Sequence, residues 1–264
     1  MSIASAPATT AARPSFPAVF GSALRSEWRK IVSVPSQCVA LVAVLAAGVG
    51  FSLLMSGTFT ARDMAEPGFD PVRSAFYGLN FAQIGALCFG AVAVAGEYRN
   101  HAIRVSLAAV PRRGVLYGAK ITVIGGVLLA VGLLTAIVCH VTGQTLMGTG
   151  GVALTDPVAL RAVLGFTVHL ALMGLFAAGV GMVLRSAPGT IGILVPVLFM
   201  LSFVFGDLDE GAGPADFLPD RAGQQMLLQE PTGPLGPWSG LGVLVLWAAA
   251  VLWAGWWALR RRDA

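Results

Sequence analysis

Several long segments of this chain contain no charged residue. Residues 74–96 carry none, and neither does the stretch from Ile121 to the residue before Asp156. About 20 consecutive apolar residues are enough to cross a bilayer as a helix. A short basic stretch, residues 96–113, lies between these two segments. We therefore predict that this stretch is a loop joining two membrane-spanning helices.

The composition favours a membrane protein. The chain is 56% hydrophobic and 11% charged, whereas a soluble domain carries about 25% charged residues. A single soluble core could not bury so much apolar surface, so lipid is expected to be the solvent. The net charge of +4 is modest, and we expect no nucleic acid as a partner.

The sequence predicts an all-α polytopic membrane protein with six transmembrane helices. The spans are expected at about 37–57, 75–96, 121–144, 162–184, 189–206 and 238–259. Pro188 separates the fourth span from the fifth, because proline does not continue a helix easily. Residues 1–18 are expected to form a disordered tail, and residues 19–264 a single six-span transmembrane domain.

Lysine and arginine predict the orientation. With six spans and a cytoplasmic N-terminus, thirteen of the 17 basic residues fall on the inner side, as the positive-inside rule requires. Both termini are then cytoplasmic, and residues 58–74 and 207–237 lie outside. Fifteen of the 17 are arginine, and alanine and glycine are abundant. This usage indicates a GC-rich bacterial genome, and hence a multi-pass protein of the bacterial plasma membrane.

An amphipathic helix is predicted before the first span. Its apolar residues are Phe20, Leu24, Trp28 and Ile31, and its basic residues are Arg25, Arg29 and Lys30. This pattern favours a helix lying on the inner membrane surface in contact with lipids. The alternative is that these residues form only the aqueous end of the first span.

Catalytic and metal-binding motifs are absent from the sequence. Neither lysine, Lys30 nor Lys120, belongs to a phosphate-binding loop, because each is followed by isoleucine. The histidines and cysteines show no metal-ligand spacing. We therefore predict that the chain is not an enzyme and holds no metal or other cofactor.

The predicted spans contain no Asp, Glu, Lys or Arg, although ion-coupled transporters usually carry such groups at membrane depth. The notable polar residues are Asn80, Gln83 and His169. Hydrogen bonding between packed helices is the simpler interpretation, and lining of a transport pathway is the functional one. Small residues on the fourth span, such as Gly174 and Ala178, predict close helix packing within one protomer or between protomers.

The basic loop has the pattern of a short helix. On a helix over residues 97–110, Glu97, Asn100, His101 and Arg104 share one stripe, and apolar residues lie opposite. Pro111 ends the helix, and Arg112 and Arg113 follow. This pattern favours a docking surface for a cytosolic partner. The alternative is a solvated loop that only fixes the topology.

The outer segment 207–237 is too long for a simple connection. It holds six acidic residues and one basic residue. Leu218, Ala222 and Met226 recur every four residues, with Leu227 adjacent, and predict a short helix near residues 220–229. We expect a cap over the outer mouth of a pathway, in which Met226 and Leu227 are shielded. In the alternative, a solvated acidic loop, both face water.

Four motifs together resemble the membrane subunit of a type-2 ABC exporter, in the style common in actinobacterial drug and antibiotic export systems. The motifs are Leu24-Arg25-Ser26-Glu27-Trp28-Arg29-Lys30; Gly96-Glu97-Tyr98-Arg99 followed by Ala108-Ala109-Val110-Pro111-Arg112-Arg113; Phe217-Leu218-Pro219 with Ala222-Gly223-Gln224; and residues 256–264. The resemblance covers nearly the whole chain. Family members often have Gly-Thr where this chain has His101-Ala102.

The resemblance implies a function. The inner loop would be the coupling helix, contacting a separate ATPase subunit that binds ATP and Mg. The residues concerned are Glu97, Tyr98, Arg99, His101, Arg104, Pro111, Arg112 and Arg113. The family also implies efflux by a homodimer or by a heterodimer with a similar permease. Apolar spans with a few amides and hydroxyls suit an amphipathic or lipophilic substrate. The alternative is a membrane anchor or sensory subunit that transports nothing.

Overall fold

The computed structural model describes residues 15–96, 113–148, 151–204, 213–231 and 233–261, and within these ranges every regular element is helical. In chain order the α-helices are α1 Phe16–Ser33, α2 Pro35–Ser56, α3 Ala61–Met64, α4 Pro71–Ser74, α5 Leu79–Ala95, α6 Arg113–Met147, α7 Pro157–Leu184, α8 Ala187–Val204, α9 Pro219–Gln224 and α10 Pro237–Arg261. Short 3₁₀ helices, Pro214–Phe217 and Gln225–Leu227, flank α9. The all-helical prediction is confirmed for the described residues.

Four described helices, α2, α6, α7 and α10, are long and apolar enough to cross a membrane. The second and fifth predicted spans correspond to shorter apolar helices, Leu79–Ala95 and Ala187–Met200. The chain is thus a membrane protein by the length and composition of its helices, and six full-length spans are not established.

The helix of the second predicted span begins later than the sequence predicted. Residues 75–78 form turns, and α5 begins only at Leu79. The Gly78 N–H donates a hydrogen bond of 3.1 Å to the Ser52 hydroxyl of α2 instead of to a carbonyl oxygen of its own helical turn. The chain also touches α2 here, since a Cβ on Gly78 would lie 1.8 Å from the Gly48 carbonyl oxygen. Only glycine permits so close a contact between residue 78 and the backbone of α2. Helix α5 begins at the next residue, Leu79.

The remaining boundaries differ less from the predictions. The first helix begins at Phe16, inside the tail predicted over residues 1–18, with Pro17 in its first turn. The break predicted near Pro188 is present: Arg185 adopts the left-handed conformation (φ 56°) between α7 and α8. The short helix predicted at residues 220–229 begins at Pro219 and ends at Gln224, and a 3₁₀ turn follows it.

Helix α7 is the centre of the bundle. It packs against α5, α6 and α10, and 72% of its most apolar 18-residue window is buried, against 22–39% for the other three long helices. Small residues permit this packing: a Cβ on Gly90 of α5 would lie 2.0 Å from the Gly174 carbonyl oxygen. Close backbone approach of this kind is how helices associate where lipid removes the hydrophobic driving force. The small residues of α7 therefore serve packing within one chain.

Side-chain contacts sort the helix ends into two groups. Glu27 binds Lys120, and Arg113 donates to the Leu259 carbonyl oxygen at 3.0 Å, so the ends of α1, α6 and α10 meet. We call this the lysine end. At the opposite end, Gln144 Nε2 donates to the Pro71 carbonyl oxygen at 2.8 Å, next to the segment that precedes α10. We call residues 213–231 the cap segment and this end of the bundle the cap end.

Candidate functional site

Three polar side chains identified from the sequence lie together beneath the cap segment. Gln83 Oε1 and His169 Nε2 are 3.1 Å apart, and both side chains are buried. One helical turn away on α5, Asn80 Oδ1 accepts a hydrogen bond of 3.1 Å from Gln224 Nε2 of α9. We call these four residues the polar seam. It links α5, α7 and the cap segment through uncharged groups.

Helix α9 closes the polar seam by direct backbone contact. A Cβ on Gly223 would lie 2.3 Å from His169 Nδ1 and 2.7 Å from a methyl group of Leu244. On the other side of α9, a Cβ on Gly240 of α10 would lie 2.2 Å from the Ala222 carbonyl oxygen. Helix α9 therefore packs tightly between α7 and α10, and neither Gly223 nor Gly240 has room for an added methyl group.

The cap residues named from the sequence are mostly shielded. Ala222, Met226 and Leu227 are buried, and Leu218 is half-buried. Met226 packs on Gly165 of α7, where a Cβ would lie 2.4 Å from the Met226 Cβ. The packing gives Met226 and Leu227 protein neighbours in place of water, which is the geometry required of a cap.

Hydrogen bonds hold the cap segment at both of its ends. The Arg161 guanidinium of α7 donates to the carbonyl oxygens of Leu228 and Gln229. Asp70 accepts from the Gln229 N–H at 2.7 Å with one carboxylate oxygen, while the other caps α4. At the other end, Trp247 Nε1 donates to the Phe217 carbonyl oxygen at 3.0 Å. The bonds to charged side chains are the stronger class.

The space beside the polar seam is small. A cavity of about 40 Å³ is lined by Asn80 and Gln224 of the seam and by Arg73, Tyr77 and Leu227. This volume holds one or two water molecules, whereas sites for drug-sized ligands measure about 300–1,000 Å³. The seam is therefore closed at the cap end in this conformation.

The lysine end contains an ion-pair cluster that was not predicted from the sequence. Glu27 is 4% exposed, and its two carboxylate oxygens contact Lys30 Nζ at 2.6 Å and Lys120 Nζ at 2.5 Å. Together with the buried Gln37 side chain, these three residues line a small cavity at this end of the bundle. Both lysines of the chain therefore bind one glutamate. One part of the cluster could have been predicted from the sequence, because Glu27 lies three residues before Lys30 on an amphipathic helix and such pairs are neighbours on the helix surface.

Of the residues that predicted the interfacial helix, only Ile31 lies on the buried face of α1. That face consists of Ala23, Glu27 and Ile31. Trp28 is 53% exposed, Arg25 and Arg29 are exposed, and Leu24 and Lys30 are half-buried. Helix α1 therefore binds the bundle through Glu27, while its tryptophan and arginines point away from the protein. An exposed tryptophan beside arginines is typical of a helix at a lipid interface.

Most of the predicted coupling helix lies outside the described residues, namely Glu97, Tyr98, Arg99, His101, Arg104, Pro111 and Arg112. Arg113 is the first residue of α6, and its guanidinium donates to the carbonyl oxygens of Leu259 and Arg260 at the end of α10. Arg113 thereby supplies donors to carbonyl groups in the last turn of α10.

No model of a known protein family matches this sequence, and no curated protein matches it. Within the described ranges, no group of three or more His, Cys, Asp or Glu side chains could hold a metal ion. The polar seam, the cap segment and the Glu27 cluster are thus the features from which a function has to be inferred.

Proposed function

We propose that this chain is the permease subunit of an ATP-driven exporter in the bacterial plasma membrane, resembling the type-2 ABC exporters. In this proposal α2, α5, α6, α7, α8 and α10 all cross the membrane, and the short helices α5 and α8 are accommodated by local thinning of the bilayer. Helix α1 lies on the inner surface. The lysine end is cytoplasmic, in keeping with the positive-inside rule, and the cap end faces outward.

The observation that carries the proposal is the polar seam closed by α9. A transport pathway needs polar groups at membrane depth that can exchange partners, and a barrier on one side. The seam provides two uncharged side-chain pairs, Asn80–Gln224 and Gln83–His169. An amphipathic substrate could replace either hydrogen bond without the cost of separating buried charges. Displacement of α9 would open the seam to the outside.

Energy would enter at the lysine end. In this proposal a separate ATPase subunit, which binds ATP and Mg, docks on residues 97–113. Helix α6 starts at Arg113, directly after this loop, and is joined to α1 by the Glu27–Lys120 pair. A displacement of the loop would therefore move α6 and α1 together. Because α6 also packs on α7, the displacement would reach the helix that carries His169.

The apolar surface supports an assembly within lipid. Exposed large apolar side chains lie along α2 and α10, including Val39, Val42, Leu246 and Trp253. In the proposed exporter these faces contact membrane lipids and a second permease, either an identical chain or a similar one. Two copies would enclose the pathway between them.

The proposal is tested with the chain purified together with its partner ATPase in lipid nanodiscs. A panel of lipophilic and amphipathic compounds is scanned for stimulation of ATP hydrolysis. At least one compound should stimulate hydrolysis in the wild type, and the stimulation should be lost in Gln83→Leu. Thr167→Val is the control, since Thr167 is equally buried on α7 but bonds only the Val163 carbonyl oxygen of its own helix.

Failure of every compound to stimulate an intact complex would favour the anchor or sensory role instead. Equal stimulation in Gln83→Leu and wild type would exclude the polar seam from the pathway.

A further inference from the structure

A second cavity lies at the cap end, apart from the polar seam. It measures about 500 Å³ and lies between the end of α2 and the start of α5. The segment from residue 58 to residue 77, which includes α3 and α4, supplies its whole lining. The lining residues are Thr58, Phe59, Asp63, Glu66, Pro67, Gly68, Phe69, Asp70, Arg73, Ser74 and Tyr77. Its volume is that of a site for a small organic molecule.

Three aromatic rings form one wall of this cavity. Phe59 and Phe69 meet edge to face, with centroids 5.2 Å apart and an interplanar angle of 77°. Phe59 and Tyr77 lie 6.0 Å apart with the rings tilted by 36°. Phe59 therefore lies between the other two rings, and the three rings are oriented differently. The face of an aromatic ring is electron-rich and its edge is electron-poor, so a cation is attracted to the ring faces.

Three carboxylates also belong to the lining. Asp63, Glu66 and Asp70 line the cavity, with Arg73 as its one basic residue. The Thr60 backbone N–H and hydroxyl donate to Asp63 Oδ2, each at 2.8 Å. These two hydrogen bonds hold the pKa of Asp63 below its ordinary value, so this carboxylate is ionised at neutral pH. The lining thus carries more negative than positive charge.

The wall of the cavity is held in shape by local structure. Thr60 and Asp63 form a reciprocal capping box at the start of α3. Gly68 takes a left-handed conformation (φ 95°) that turns the chain toward Phe69. Asp70 then caps α4 through the N–H groups of Val72 and Arg73, both at 2.9 Å. The carboxylates of Asp63 and Asp70 are therefore held in place before any ligand arrives.

We propose that this cavity binds a monovalent organic cation, namely a quaternary or protonated amine of about the size of one substituted ring. Aromatic faces attract such cations because the ring quadrupole presents negative charge above its plane, and quaternary ammonium groups are typical ligands of aromatic cages. The carboxylates add a favourable field. A bare metal ion does not fit, since the described chain has no group of metal ligands here.

This site does not depend on the exporter proposal. Its residues come from one outer segment, and binding would need neither the ATPase nor the coupling loop. A chain that exports nothing could still bind the cation, and an exporter could lack the site, so the two proposals fail separately.

The test uses the purified full chain in an uncharged detergent and isothermal titration calorimetry. The probe is benzyltrimethylammonium, and the controls are benzyl alcohol, which is uncharged, and benzenesulfonate, which carries the opposite charge. Saturable binding at one site per chain is expected for the cation alone. Absence of saturable cation binding, or equal binding of benzyl alcohol, would overturn the proposal.

Two variants locate the site. Phe59→Leu keeps an apolar side chain but removes the central ring, and should weaken cation binding about threefold to fivefold. Phe81→Leu is the matched control. Phe81 stacks on Phe51 with ring centroids 3.5 Å apart, and it does not line the cavity. Equal losses in the two variants would place the binding elsewhere.

The charge is tested separately. Glu66→Lys should weaken cation binding by about tenfold through the reversed field, and Glu66→Gln should do so less. Glu66 is exposed, so neither change should unfold the chain, and thermal unfolding checks this point. Glu230→Lys, at an exposed carboxylate that does not line the cavity, is the control. A loss in Glu230→Lys equal to that in Glu66→Lys would reveal only a general charge effect and contradict the site.

Discussion

Glu27 Oε2 lies 2.5 Å from Lys120 Nζ, and both side chains are almost fully buried where α1 meets α6. The second carboxylate oxygen binds Lys30. This contact fixes a helix whose other faces carry exposed basic and aromatic side chains. In the proposed exporter the contact would let α1 follow the movements of the bundle, because the two helices share a buried charge pair.

Loss of the Glu27 carboxylate should strongly destabilise the fold. Removing one partner of a buried ion pair costs about 3–5 kcal/mol, since a buried charge loses its compensation. Glu27→Gln should therefore lower the thermal unfolding midpoint in detergent by several degrees. The control is Arg29→Gln on the exposed side of α1, which should change stability by less than about 0.5 kcal/mol. Similar midpoints for the two variants would refute a structural role for the pair.

Asp70 should matter more than an ordinary helix cap. Asp70 and Asp156 both cap a helix that begins with proline, but Asp70 also accepts a hydrogen bond from the cap segment, at the Gln229 N–H. Asp156→Ala should cost about 1 kcal/mol, the usual value for a lost cap. Asp70→Ala should cost about 2–3 kcal/mol, because a charge-assisted bond is lost as well. Denaturation in detergent measures both, and equal costs would mean that the Gln229 bond contributes nothing.

The tight packing of α9 between α7 and α10 has its own test. Gly223→Ala places a methyl group against His169 and Leu244, so α9 must move, at a cost of about 1–3 kcal/mol for overpacking. Gly242→Ala is the matched control on α10, where the added Cβ meets nothing within 4 Å. That change should be neutral or slightly stabilising, because alanine favours a helix over glycine. The unfolding midpoints decide, and a harmless Gly223→Ala would show that α9 is loosely packed.

Much of this architecture follows from local patterns, and the rest depends on long-range contacts. Charge-free runs predicted the long helices, since apolar length alone decides whether a helix can cross a bilayer. Asn80, Gln83 and His169 could be named as polar residues in apolar segments. Their pairing could not, because Gln83 and His169 are 86 residues apart and single-sequence periodicity carries no information on contacts between helices.

The errors have the same origin. Helix α5 starts late because Gly78 meets Gly48 of another helix, which no propensity reveals. The four-residue periodicity of the cap segment continued to about residue 229, yet the chain extends at Leu228 (ψ 137°). There Arg161 binds the carbonyl oxygens that would otherwise continue a helix. In both places a tertiary contact overrode the local preference.

The proposed orientation predicts cysteine accessibility. In a background without Cys38, Cys88 and Cys139, Glu66→Cys should react with a membrane-impermeant maleimide in intact cells. Arg261→Cys, at the exposed lysine end of α10, should react only after permeabilisation. The 13-to-4 division of basic residues between the two sides motivates this expectation. The reverse labelling pattern would invert the topology.

The central claim, that a separate ATPase drives this chain through residues 97–113, is tested most directly by co-purification from native membranes. Tagged wild-type chain should retain an ATPase subunit and Mg-dependent ATP hydrolysis. Arg104→Glu should reduce the co-purifying ATP hydrolysis at least about tenfold, because it reverses a charge-assisted contact. The variant should still insert into the membrane normally. Arg29→Glu, on the exposed face of α1, should retain the ATP hydrolysis. Wild-type chain that purifies without ATP hydrolysis, or Arg104→Glu that retains it fully, would contradict the account.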